Sequence, residues 1–182
     1  YFNSYFQTGL KNLMDKAILS HIKELGLEYL KEDYKKVDEI PFDFTRRRMS
    51  VVVEDKQGKR QIITKGAVEE MLEICSHAEF DSSVHPFTSA LKKKAQEISL
   101  QMNKQGMRVL AIAHKSYLSK ASDFCIEDEQ DMVLIGFLAF LDPPKQSAAR
   151  AIKQLHEYGI EVKILSGDND AVVQTIARQV GI

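Results

Sequence analysis

Ser50-Val51-Val52-Val53-Glu54-Asp55-Lys56-Gln57-Gly58-Lys59-Arg60-Gln61-Ile62-Ile63-Thr64-Lys65-Gly66-Ala67 is the stretch that sets the fold. Residues 50–54 and 61–64 are rich in β-branched side chains, and the polar, Gly-containing segment 55–59 between them reads as a hairpin turn. The second strand runs into Lys65-Gly66-Ala67. Val68, Met71, Leu72 and Cys75 follow at helical spacing. A hairpin here leads into a helix.

Upstream, Leu10, Leu13, Met14, Ala17, Ile18, Ile22 and Leu25 form one apolar stripe of an amphipathic helix, and Gly26 suits its end. Residues 31–39 are densely charged and read as a solvated connection. Downstream, residues 80–87 read as a loop containing Pro86. Phe87, Leu91, Ala95, Ile98 and Met102 mark a second long helix closed near Gly106. Residues 107–114 read as a strand with Arg108 near its start, 115–130 as polar and irregular, and 133–140 as a buried strand. Leu141-Asp142-Pro143-Pro144-Lys145 then breaks the pattern, because successive prolines continue neither helix nor sheet. A domain boundary falls there, giving domains 1–141 and 142–182. The second piece reads as helix (147–158), short strand (161–165), Ser166-Gly167-Asp168, and helix (170–180). That is a short α/β unit with a hydroxyl, a glycine and a carboxylate at the strand's C-terminal end, where open α/β sheets place ligands.

At 182 residues the chain amounts to about 1.2 average domains. Its 44% hydrophobic and 28% charged residues exclude a disordered or collagen-like chain. Lys+Arg 25 against Asp+Glu 26 leaves a net charge of −1, so there is no basic footprint for nucleic acid and no polybasic signal for direct membrane contact. No apolar run approaches the roughly 20 residues that span a bilayer. Cys75 and Cys125 are too sparse for a disulfide framework, which fits a reducing compartment. Cys75 and His77 make a lone CxH pair without the second pair a zinc site needs, so no metal site is expected. Tyr1-Phe2-Asn3-Ser4 carries neither an initiator Met nor a signal-peptide pattern, and the chain reads as a piece of a longer protein.

The common nucleotide fingerprints GxxxxGK[ST] and GxGxxG are absent, as are HExxH and GxSxG. Five features remain. Lys65-Gly66 at a strand end offers a cation beside a backbone that a ligand can approach closely, though a strand-end Lys-Gly is also an ordinary turn. Phe42-Asp43-Phe44-Thr45-Arg46-Arg47-Arg48 sets two aromatics beside three guanidinium groups, suited to stacking a base and holding phosphate; the plain alternative is a solvated charge run beside two core phenylalanines. Arg108 heads an apolar strand. Asp15, on pattern alone, is a helix-surface carboxylate. Ser166-Gly167-Asp168 at a helix start can hold a phosphoryl oxygen or simply cap the helix.

Taken in order, Asn12-Leu13-Met14-Asp15-Lys16-Ala17, Pro41-Phe42-Asp43-Phe44, Lys65-Gly66-Ala67, Gly106-Met107-Arg108-Val109-Leu110, Asp142-Pro143-Pro144-Lys145 and Ser166-Gly167-Asp168-Asn169 resemble the cytoplasmic nucleotide-binding region of P-type ATPases. The opening Tyr5-Phe6-Gln7-Thr8-Gly9-Leu10-Lys11-Asn12-Leu13-Met14-Asp15 is most similar to the magnesium-transporting branch. The resemblance implies an α/β fold: an α+β nucleotide-binding domain over 1–141, with an antiparallel sheet flanked by helices, then a hinge from Asp142 and a short α/β fragment of a haloacid-dehalogenase-like phosphorylation domain. It implies that Phe44 stacks on adenine, Asp15 sits near the adenine amino group, Lys65 and Gly66 line the pocket, and Arg46 and Arg108 reach toward the phosphates. It implies that Ser166, Gly167 and Asp168 contact the phosphoryl group in a full pump. The Asp-Lys-Thr-Gly-Thr segment with the phosphorylated aspartate is not in this chain, so no catalytic residue is expected within it.

The function so implied is an ATP-binding domain, using ATP as MgATP, of a cation pump in the plasma membrane. Its partners are the phosphorylation, actuator and transmembrane domains of the same pump. Three alternatives stand beside it: a pump for another cation (Ca²⁺ or H⁺), a nucleotide-independent regulatory or interaction domain, and a soluble phosphatase of the dehalogenase type with a large cap.

Overall fold

The computed structural model describes every residue except 10, 117–122, 142–143 and 168–169. Leu10, Asp142 and Asp168, each named in the sequence reading, lie outside the described residues. The chain divides into two compact units: Tyr1–Lys92 with Leu110–Leu138, and Lys93–Val109 with Ala139–Ile182.

The first unit holds most of a seven-stranded sheet, residues 107–109 and 139–141 being assigned to the second. Its strands are β1 (Tyr34–Asp43), β2 (Arg48–Asp55), β3 (Arg60–Ala67), β4 (Cys75–Phe80), β5 (Ser83–Pro86), β6 (Met107–Ser116) and β7 (Met132–Leu141), in spatial order β1-β2-β3-β6-β7-β4-β5. Pairs β1–β2, β2–β3, β3–β6 and β4–β5 are antiparallel, and β4–β7 is parallel. The sheet is therefore mixed, not purely antiparallel. The hairpin expected at 55–59 joins β2 to β3. Asp55 Oδ1 accepts from the backbone N–H groups of Gln57 at 3.0 Å and Lys59 at 2.8 Å, and Gly58 takes φ +79°. Val51, Val52, Val53 and Ile62 are closed to solvent. Because side chains alternate across a strand, burial of all three consecutive valines means that β2 is covered on both faces. Each contributes on the order of 1.5–3 kcal/mol of burial.

Helices α1 (Phe2–Phe6), α2 (Leu13–Glu24) and α3 (Val68–Ile74) belong to this unit. Val68, Met71, Leu72 and Cys75 are buried as their spacing implies, although Cys75 already begins β4. The α2 stripe is a partial correction: Leu13 is 77% exposed, and Asp15 is the helix's one buried residue.

Two stretches read as connections are strands. Residues 31–39 give the end of a short 3-10 helix (Glu28–Asp33) and most of β1. β1 is a sheet edge, and charged side chains are what edge strands carry to discourage further pairing. Residues 80–87 contain the β4–β5 turn and β5. Asp81 and Ser82 take φ +51° and +58°, a two-residue turn with both positions left-handed. Neither residue is glycine, so the sequence signal was weak. β7 also departs from a wholly buried strand: Met132 and Leu134 are buried, while Ile135 and Leu141 are exposed.

Helix α4 (Ser89–Lys104) runs from the first unit into the second, which also holds α5 (Gln146–Glu157) and α6 (Asp170–Val180). Gly106, at φ +80°, ends the α4 segment, and the Thr175 hydroxyl of α6 donates to the Lys104 carbonyl at 3.2 Å. Residues 161–165, expected as a strand, form none. Leu165 is 96% exposed, and a parallel strand forms only against a neighbouring strand that supplies its ladder.

Candidate functional site

The first unit contains a cavity of about 270 Å³ lined by residues from α1's exit, α2, β1, β2 and β3, among them Gln7, Asp15, Glu39, Phe42, Arg47, Lys65 and Gly66. Its inner wall begins with a helix cap. Asn12 Oδ1 accepts from the Asp15 N–H at 2.9 Å, and Asp15 Oδ2 accepts from the Asn12 N–H at 3.3 Å. This reciprocal capping box starts α2 and turns Asp15 inward. Gln7 Nε2 donates to Asp15 Oδ2 at 2.6 Å, and Lys65 Nζ donates to Asp15 Oδ1 and to Ser4 Oγ, the latter at 3.2 Å.

Asp15 is 1% exposed and Lys65 7%, so each charge is buried against the other. Burial pushes the Asp15 carboxyl up, but hydrogen bonds from Lys65, Ser4 and Gln7 and the Lys65 charge outweigh it and hold the carboxyl below its usual range. Burial pulls the Lys65 ammonium below its ordinary value, against the opposing pull of Asp15. Across the cavity Glu39 accepts from the Thr8 N–H at 2.8 Å and from Lys36 Nζ at 2.7 Å, fixing the segment that carries Gln7 and Thr8.

Gly66 is required by packing. A Cβ there would stand 2.5 Å from Arg48 Cβ and 2.8 Å from the Arg47 carbonyl. The missing Cβ thus lets β2 pass close against β3, and Gly66 lines the cavity from within that seam.

The mouth is made by the turn between β1 and β2. Asp43 Oδ1 accepts from the N–H groups of Thr45 and Arg46, both at 2.8 Å, and the Arg47 N–H donates to the Asp43 carbonyl at 2.9 Å. Arg47 closes the turn at φ +47°. Phe44 stands on this turn 89% exposed, edge-to-face with the half-exposed, cavity-lining Phe42 at 5.4 Å between ring centroids. These are not core phenylalanines.

The structure brings Asp15, Lys65 and Gly66 together, with Phe44 beside the mouth through Phe42. Arg46 goes elsewhere: its guanidinium donates to Asp43, to Glu129 at 2.5 Å and to the Pro41 carbonyl at 2.5 Å. Arg47, paired with Glu70 at 2.9 Å, is the arginine that lines the cavity. Arg108 is half-buried at the start of β6, in the second unit. Ser166 and Gly167 are exposed, in the second unit. Sequence reasoning missed Gln7, Glu39 and Glu129, whose roles come from tertiary partners that no local pattern displays.

Residues 7–147 match the family model described as "P-type ATPase, cytoplasmic domain N". The chain is 42% identical over 180 residues to the magnesium-transporting ATPase, P-type 1, of Escherichia coli (strain K12), covering 99% of this chain and 20% of that protein. It is 41% identical over 180 residues to the protein of that name from Salmonella typhimurium (strain LT2), again 99% and 20%. It is 30% identical over 184 residues to calcium-transporting ATPase 1 of Lactococcus lactis subsp. lactis, at 99% and 21%. The chain thus spans about a fifth of the length of these relatives. With the family match running through both walls of the cavity and its mouth, the chain belongs to the P-type ATPases and carries their cytoplasmic domain N.

Proposed function

We propose that this chain is the ATP-binding part of an ATP-driven cation pump, of the magnesium-transporting kind, which holds ATP while its γ-phosphoryl group passes to an aspartate outside the chain. One observation carries the reading: a small cavity walled by the buried Asp15–Lys65 pair and the Gly66 backbone opens beside the exposed ring of Phe44. Its 270 Å³ falls just below the roughly 300–1,000 Å³ of sites that enclose a drug-sized ligand. A planar base fits within, and ribose and phosphates stay outside.

In this reading adenine stacks on Phe44 with its amino group toward Asp15. Lys65 and Gly66 line the pocket floor. Arg46, committed to Asp43, Glu129 and the Pro41 carbonyl, holds the turn that carries Phe44. Phosphoryl transfer to a carboxylate rests on positioning and electrostatic stabilisation, with Mg²⁺ arriving as MgATP. This chain supplies the positioning of the base end, binds ATP with modest affinity and does not hydrolyse it.

We assign residues 1–141 to the nucleotide-binding domain, and 142–182 to a hinge and part of the phosphorylation domain. Ser166, Gly167 and Asp168 meet the phosphoryl group there in the full pump. The actuator, phosphorylation and transmembrane domains are its partners, on the cytoplasmic side of the plasma membrane. The test is an ATP titration of the ¹⁵N-labelled chain. Amide shifts clustered at Phe44, Lys65 and Gly66 support the reading, and a titration that moves none of them overturns it. Phosphate release that co-purifies with the chain overturns its non-hydrolysing half.

A further inference from the structure

Glu129 does not line the cavity, yet its side chain is fully buried. Burying a carboxylate is costly unless it is paired and hydrogen-bonded. Glu129 Oε2 accepts from Arg46 at 2.5 Å and from Arg48 Nε at 2.8 Å. Its Oε1 accepts from Ser50 Oγ at 2.6 Å, which lies 2.7 Å from Thr64 Oγ1. The backbone on either side is also tied down, because Lys115 Nζ donates to the carbonyls of Asp128 at 2.7 Å and Gln130 at 2.8 Å. One rigid anchor in the segment before β7 thus grips β2 and, through Arg46, the turn 44–47 some eighty positions earlier in the chain.

That turn is held locally by Asp43, which accepts from the Thr45 and Arg46 N–H groups, and by the Arg47 carbonyl, which accepts from the Ala67 N–H of β3 at 3.0 Å. Phe44 is almost fully exposed and makes one ring contact, with Phe42. Arg46 also donates through Nε to Asp43 and through Nη2 to the Pro41 carbonyl. Without Glu129, the Arg46 fork loses its buried partner, and the turn loses its side-chain tie to the segment before β7.

We infer that Glu129 is a positioning residue for nucleobase stacking, acting through Arg46 on the turn that presents Phe44. This rests on the proposed stacking of adenine on Phe44, and the test separates the two. ATP affinity is measured by calorimetry for the 182-residue chain, Glu129→Gln, Phe44→Ala and the double variant. Glu129→Gln is expected to weaken ATP binding about tenfold, equivalent to about 1.4 kcal/mol, and to cost nothing more in the Phe44→Ala background. Inorganic tripolyphosphate, which has no base, should bind both Glu129 forms alike. A loss that repeats in full on Phe44→Ala, or that is equal for tripolyphosphate, marks a merely structural role and overturns the inference while leaving the nucleotide reading intact. No ATP binding by the unsubstituted chain overturns both. If Glu129→Gln does not fold, Glu129→Asp, which keeps the charge and draws it back by one methylene, carries the same cycle.

Discussion

Asp15 and Lys65 stand fifty positions apart in the chain and meet as an ion pair almost closed to solvent. The pair lines the cavity, so these two charges are already spent on each other. A ligand there meets a neutral, preorganised wall rather than a free ammonium.

The pair should resist removal of either member more than removal of both. Lys65→Met leaves the Asp15 carboxylate buried without a counter-charge, at a cost of about 3–5 kcal/mol. Asp15→Asn with Lys65→Met leaves no charge and keeps the amide oxygen that caps α2. We expect urea denaturation to show the double variant recovering most of that loss. A double variant whose loss equals the sum of the Lys65→Met and Asp15→Asn losses would mean that the pair is not coupled.

The same pair predicts how stability responds to acid. The Asp15 carboxyl is held below its usual range in the folded chain, so the unfolded chain takes up the proton first. The contribution is fully present above the unfolded value, about 3.9, and is lost as pH falls through the lower folded value. Glu39, held down by Lys36 and Thr8, acts in the same direction. Melting temperature should therefore drop below about pH 4, and Asp15→Asn should flatten that drop. An unchanged acid slope in the variant would exclude Asp15 as a source.

Much of this site was legible because it sits at the end of a strong pattern. The β2–β3 hairpin was visible from β-branched runs around a Gly-containing turn, and it delivers Lys65 and Gly66 to the cavity. Asp15 was misplaced by periodicity, which assigns polar residues of an amphipathic helix to solvent. The first turn of α2 instead faces a polar partner, so its carboxylate goes in and Leu13 stays out. β1 was hidden by its own charge, the usual guise of a sheet edge. Glu129 had no signal at all, since its burial depends on two arginines some eighty positions away.

Gly66 offers a test of the close strand passage. Gly66→Ala sets a methyl against Arg48 Cβ and the Arg47 carbonyl, and backbone on one side cannot yield as a flexible side chain would. Overpacking of this kind costs about 1–3 kcal/mol. A loss in that range by denaturant titration is expected. A neutral substitution would show that β2 and β3 separate easily at this point.

Phe44 and Phe42 divide the work at the mouth differently, and substitution tells them apart. Phe44 is 89% exposed, so Phe44→Ala should leave stability within about 0.5 kcal/mol, as surface changes do. Loss of base stacking should still weaken ATP binding by about 1–3 kcal/mol. Phe42 is 51% exposed and lines the cavity, so its removal enlarges the opening and strips the ring that Phe44 leans on. Calorimetry on both variants decides between them. A larger loss in Phe44→Ala assigns the stacking ring to Phe44. A larger loss in Phe42→Ala moves it to Phe42, and the anchored turn then serves to hold Phe42 in place.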